Sequence, residues 1–229
     1  MNAVRPLSAW PTGIAGALLL AFTMQAVAQQ QLQLDARELV TPLSARLGVL
    51  AEHAAFLQSA DRKLFEDTQD VALELQRTLE KSTRPVPDDY RVMLEGLTKA
   101  LPAPEDLGSL TPEARRRLSA LRDDLAIKNR YLTSGMGATA FSKSLMVTVE
   151  VRTRRQGKLV DGYEVFARPV AFPSEWRPTP FGSPTNRARR ELAPGIYTFM
   201  FRRGTEEMQR PVEIGEDGLP TQTVWHDVP

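Results

Sequence analysis

The chain carries two histidines and no cysteine. Without thiols there are no disulfides, no thiolate metal sites, no cysteine nucleophiles and no lipidated N-terminal cysteine. His53 and His226 cannot supply a multi-histidine metal centre, and neither stands in a catalytic motif. His226 lies in Val224-Trp225-His226-Asp227, which reads as part of a strand. His53 reads as a helix-surface residue. No phosphate loop, dinucleotide fingerprint or zincin motif occurs. Carboxylates remain. Glu66, Asp70 and Glu74 lie four apart, a stripe that reads as a solvated helix face for want of a histidine or cysteine at ligand spacing. Asp88-Asp89 and Asp123-Asp124 read as cap and surface residues, although paired carboxylates can assemble in space for acid–base work. The reading is of a non-enzyme with no cofactor and no metal.

Binding chemistry concentrates between Pro173 and Glu191. Trp176 and Phe181 are apolar anchors, and Arg177, Arg187, Arg189 and Arg190 are positive. Tryptophan and arginine are the types enriched at interfaces. The segment is rich in proline and exceeds an ordinary hairpin loop. It reads as a binding loop or as a loop that folds Trp176 back over a sheet edge. Arg115, Arg116 and Arg117 read as the coat of a surface helix.

The elements that must position these residues change character along the chain. Arg5 precedes an apolar stretch at 14–24, then Ala26-Val27-Ala28. That order is a secretory leader, with cleavage after Ala28 expected. The stretch is too short to span a bilayer, so no transmembrane segment is expected in the mature chain. Residues 29–133 read as a helical, coiled-coil-like module. Leu43, Leu47, Leu50, Ala54, Leu57, Leu64, Val71 and Leu75 step by fours and threes, with Asp61, Thr68 and Thr78 on the same seam. With no glycine or proline from Val49 to Arg84, one helix is expected from near Thr41 to near Lys81. A second is expected over Asp88 to Leu101, buried through Tyr90, Leu94, Leu97 and Leu101. A third starts at Thr111-Pro112, an N-cap followed by proline in the first turn. Together they make a helical hairpin or three-helix bundle, with self-association possible along the long helix.

Residues 134–144 are small and flexible, a linker by composition. From Leu145 the period becomes two. Leu145, Val147, Val149 and Val151 alternate with polar residues. Strands follow at Tyr163 to Arg168, Ile196 to Phe201, Met208 to Ile214 and Thr221 to Val228, separated by Gly157, Gly195, Gly204 and the Gly215–Gly218 turn. This is the pattern of an antiparallel β-sandwich over 145–229, and the chain as a whole reads as α+β in two modules.

Val149-Glu150-Val151 followed by Gly157-Lys158-Leu159-Val160-Asp161-Gly162-Tyr163-Glu164-Val165 resembles the first hairpin of the carboxypeptidase regulatory-like, transthyretin-like domains. Leu192-Ala193-Pro194-Gly195-Ile196-Tyr197 resembles their leucine–proline–proline–glycine–x–tyrosine signature, with Ala193 in place of the first proline. The resemblance implies a non-catalytic accessory or binding module and carries no active-site residues. The helical part resembles nothing recognised.

The chain has 29 basic and 28 acidic residues among 229. No basic excess points to nucleic acid. Residues 29–133 hold 15 basic and 17 acidic residues, and 134–229 hold 13 and 11. These weakly opposite halves permit docking of one on the other. The functional expectation is an exported, periplasmic or secreted envelope protein that binds another protein. The other reading is a binding module for a cell-wall glycan or another anionic envelope polymer.

Overall fold

The computed structural model describes residues 38, 40–54, 59–81, 86–104, 110–134, 145–172 and 176–229. The expected leader at 1–28, Leu57 and residues 135–144 of the expected linker lie outside them.

The chain is α+β. Its helices are α1 (40–53), α2 (Ser59–Glu80), α3 (Asp88–Ala100) and α4 (Pro112–Thr133). The single helix expected from Thr41 to Lys81 is therefore two. A methyl group on Gly48 of α1 would sit 2.8 Å from the side-chain nitrogen of Gln69 in α2. In one straight helix those positions would be about 30 Å apart. The chain reverses between α1 and α2, and each helix turns its own stripe to a common core. On α1 the stripe is Leu43, Leu47 and Leu50, as read from the spacing. On α2 it is Asp61, Phe65, Thr68, Ala72, Leu75 and Leu79, all buried. Leu64 and Val71 are only partly buried, so the stripe lies one residue past the seam there. Of the apolar seam residues, Leu43, Leu47, Leu50, Ala54 and Leu75 are covered within one chain.

α2 and α4 run in the same direction. Near their starts Arg115 donates two hydrogen bonds to Asp61, at 2.5 and 2.7 Å. Near their ends the Thr78 hydroxyl donates to Asn129 Oδ1 at 2.6 Å. Asp61 and Thr68 thus lie inside, and Arg115, read as part of a surface coat, is the partner of Asp61. α4 starts as its sequence indicates. The Thr111 hydroxyl accepts from the Ala114 amide at 3.1 Å, and proline follows at the first helical position. α3 buries Tyr90, Leu94 and Leu97 as expected.

The strands are β1 (Val147–Arg155), β2 (Lys158–Leu159), β3 (Glu164–Pro169), β4 (Thr179–Pro180), β5 (Ala188–Leu192), β6 (Gly195–Arg203), β7 (Glu206–Ile214) and β8 (Thr221–Asp227). They form two four-stranded sheets. In the first, β8 lies along one edge of β1, and β5 and β2 follow one another along the other. In the second the order is β4-β3-β6-β7. Every pairing is antiparallel except β1 with β8. Val147, Val149 and Val151 of β1 and Tyr197, Phe199 and Phe201 of β6 are buried in one core. His226 of β8 stacks on Phe201 of β6, ring centroids 4.2 Å apart. The segment expected as one long loop up to Glu191 contains β4 on the second sheet and β5 on the first. Its polar and proline-rich composition hid two short strands, because edge strands tolerate proline and charge.

Candidate functional site

Helices and sheets meet along α3, α4 and the turn before β6. That turn, Leu192-Ala193-Pro194-Gly195, brings the backbone tightly against α4. Gly195 has φ +153°, and a Cβ there would strike the Asp124 carboxylate. Asp124 Oδ1 accepts the Ile196 amide at 3.0 Å, and its other oxygen pairs with Lys128 one turn along α4. Both side chains are essentially closed to solvent. Asp124 is therefore not the surface residue its neighbour Asp123 suggested. Burial raises the Asp124 pKa against the opposing pull of Lys128 and the Ile196 amide. Burial likewise lowers that of Lys128 against the pull of Asp124. Two charges shut from water meet no ligand. They hold helix to sheet.

Two tyrosines surround this pair. The Tyr197 ring is delivered into the core by the turn, and its hydroxyl donates to the Ala193 carbonyl at 2.9 Å. The Tyr90 hydroxyl is buried with no hydrogen-bond partner among the described residues. Burial, then the Asp124 charge, raises the pKa of both. Further along α4, Tyr131 donates to the Met146 carbonyl at 3.3 Å, and its pKa is pushed up to about 12, chiefly by burial.

Above this buried layer opens a groove of about 130 Å³ between α3 and the β4–β5 segment. Its apolar lining includes Val92, Met93, Phe172, Leu192 and Tyr197, and Asp89, Arg190 and Glu191 supply charge. Each position has a local cause. Acidic residues suit the first turn of α3, where the helix dipole favours them. Val92 stands off the buried face of α3 and is 60% exposed. Gly96 leaves room for the Phe172 ring, whose tip a Cβ at Gly96 would overlap. Trp176 meets Phe172 edge to face, centroids 4.6 Å apart. Arg190 donates to the Pro180 carbonyl at 2.7 Å and comes within 4.0 Å of Asp89.

The structure divides the six residues singled out from sequence. Arg190 lines the groove, and Trp176 reaches it through Phe172. Phe181 is 6% exposed and packs on Phe199 at 5.7 Å, so it is a core residue. Arg187 and Arg189 are exposed, and Arg189 lies opposite Glu150 on the first sheet. Arg177 is exposed beside Trp176. From sequence Asp89 reads only as a cap or surface carboxylate, and Val92 and Phe172 carry no reading as site residues. The available signal was Val92, an apolar residue off the Tyr90–Leu94–Leu97 face.

No family model, curated protein or solved structure matches this chain. Among the described residues no three histidine or carboxylate side chains come together to hold a metal ion. No helix among them is long and apolar enough to cross a membrane.

Proposed function

We propose that the chain is an exported, non-enzymatic envelope protein that binds another protein through the groove between α3 and the β4–β5 segment. Residues 145–229 act in this reading as a transthyretin-like β-sandwich, an accessory module braced by the helices. The observation that carries the proposal is the groove's chemistry. An apolar floor rimmed by Asp89, Arg190 and Glu191, with Val92 largely exposed beside it, is the layout of a protein interface with a desolvated centre and a polar rim. Arginine and aromatic side chains at its edge are the types that anchor such contacts. The leader-like residues 1–28 support export.

A photo-crosslinking residue at Val92, compared with one at exposed Gln209, tests the binding claim in intact cells. One discrete protein adduct is expected from position 92 and none from 209. Arg190→Glu should abolish the adduct at 92. Adducts that are diffuse, equal at both positions or indifferent to Arg190→Glu would remove the groove as a binding site. N-terminal sequencing of the exported protein should begin at Gln29; a start at Met1 would refute the leader.

A further inference from the structure

We propose that the tip of the β1–β2 hairpin, together with the first sheet's outer face beside it, is a docking surface for an anionic phospholipid bilayer. Val147, Val149, Val151 and Thr153 of β1 point into the core, so Arg152 and Arg154 point outward. Directly paired residues share a face. Arg154 lies opposite Leu159 on one side and Asp227 on the other, and Arg152 lies opposite Trp225. Leu159 is 60% exposed and Trp225 39%. Two large apolar side chains and two arginines therefore occupy one contiguous outer patch. Both guanidinium groups lie over the indole, 5.7 and 5.4 Å from its centroid.

The hairpin adds charge. Gln156 and Gly157 take φ of 50° and 80°, the tight two-residue turn that fits strand twist. That turn sets Arg155 directly opposite Lys158, both exposed at the hairpin's tip and on the face opposite to that of Arg154 and Leu159. Like charges so placed work against the hairpin, and an anion beside them would relieve the repulsion. Arg189 continues the basic face beyond Glu150. The opposing acids are Glu150, 3.4 Å from Arg152, and Asp227, 2.5 Å from Arg154. Asp161 is held by the Asn186 amide. The surface around the hairpin remains net positive.

Basic charge alone would suit any polyanion. The exposed Leu159 and Trp225 select the bilayer: leucine reaches the acyl boundary, indole rests among headgroups, and arginine pairs with phosphates.

Sedimentation of the full chain with phosphatidylcholine vesicles, with and without phosphatidylglycerol, tests the proposal. The apolar stretch at 14–24 is common to every variant, so differences between variants carry the reading. The part of the parent's partition that the variants lose should require phosphatidylglycerol and fall with salt. Arg155→Glu with Lys158→Glu should lower it about tenfold or more. Leu159→Ser, at an exposed position, should lower it about threefold with the unfolding midpoint unchanged. A difference between parent and double variant that is indifferent to lipid charge, or unchanged partition of the double variant, would overturn the proposal. So would parent-like partition of Leu159→Ser together with full competition by heparin, an outcome that assigns the patch to soluble acidic polymers.

Discussion

The Lys128 amine is fully buried against the Asp124 carboxylate, and its loss would leave a buried carboxyl group without its counter-charge. Removing one member of a buried pair typically costs about 3–5 kcal/mol, whereas replacing both is often close to neutral. Lys128→Met should lower the unfolding free energy by about that amount. Asp124→Asn with Lys128→Met should recover most of it, because asparagine still accepts the Ile196 amide. Urea unfolding of parent, single and double variants measures this; a single variant as stable as the parent would show that the pair does not hold the junction. His226 gives a pH dependence. Burial, aided by Arg210 and opposed by Asp227, lowers its pKa. The folded state thus prefers the neutral ring, stacked on Phe201. That preference contributes fully above the unfolded value of about 6.5 and is lost as pH falls through the lower folded value. The melting temperature should drop between pH 7 and pH 5, and His226→Phe should flatten that segment of the curve. Asp227, its pKa lowered first by the Arg154 hydrogen bond, acts in a separate window. Its contribution is present above the unfolded carboxylate value, about 3.9, and fades only in stronger acid.

Among the elements, the turn into β6 is the least replaceable. Gly195→Ala must place a methyl on the Asp124 carboxylate and accept a φ that L-residues avoid. It should destabilise by about 3 kcal/mol or more. Gly157, also at positive φ but with open space around it, is the control, and Gly157→Ala should cost about 1 kcal/mol. Equal melting temperatures for the two variants would contradict the close approach of β6 to α4. These elements differed in how openly the chain declared them. α3, α4, β1, β6 and β8 were legible because each satisfies a local rule: Thr111-Pro112 at a helix start, alternation through Val147–Val151, glycine before Ile196. The α1–α2 reversal was not, because each helix keeps the four–three spacing and no glycine or proline separates them. The β4 and β5 strands were hidden because edge pairing makes so little demand on composition. The groove was legible only at Arg190 and Trp176. Its other wall, Asp89 and Val92, lies about a hundred positions away, and only the docking of α3 on the sheets brings it near.

At the scale of the whole molecule, the question is whether helices and sheets behave as one body. Two ion pairs cross between the halves, Arg190 with Asp89 at 4.0 Å and Arg130 with Glu216 at 3.4 Å, and only the first follows their charge division. Solvated pairs of this kind contribute little. The joint rests instead on buried contacts: Asp124 with Ile196, Tyr131 with Met146, and Phe172 over Gly96. A boundary that leaves Gly96 no room for a methyl group and encloses a charge pair cannot open without exposing both. Helices and sheets should therefore unfold together. Trp176 and Trp225 lie among the sheets and Trp10 in the leader-like segment, and the chain has three tryptophans. In a Trp10→Phe background fluorescence reports on the sheets, while circular dichroism at 222 nm is dominated by the helices. The two thermal transitions should coincide, and Lys128→Met, a change on the helical side, should shift the fluorescence midpoint as far as the dichroism midpoint. Two separated transitions, or a shift confined to dichroism, would mean that the modules are merely tethered, and the groove between α3 and the sheets would then lose its fixed walls.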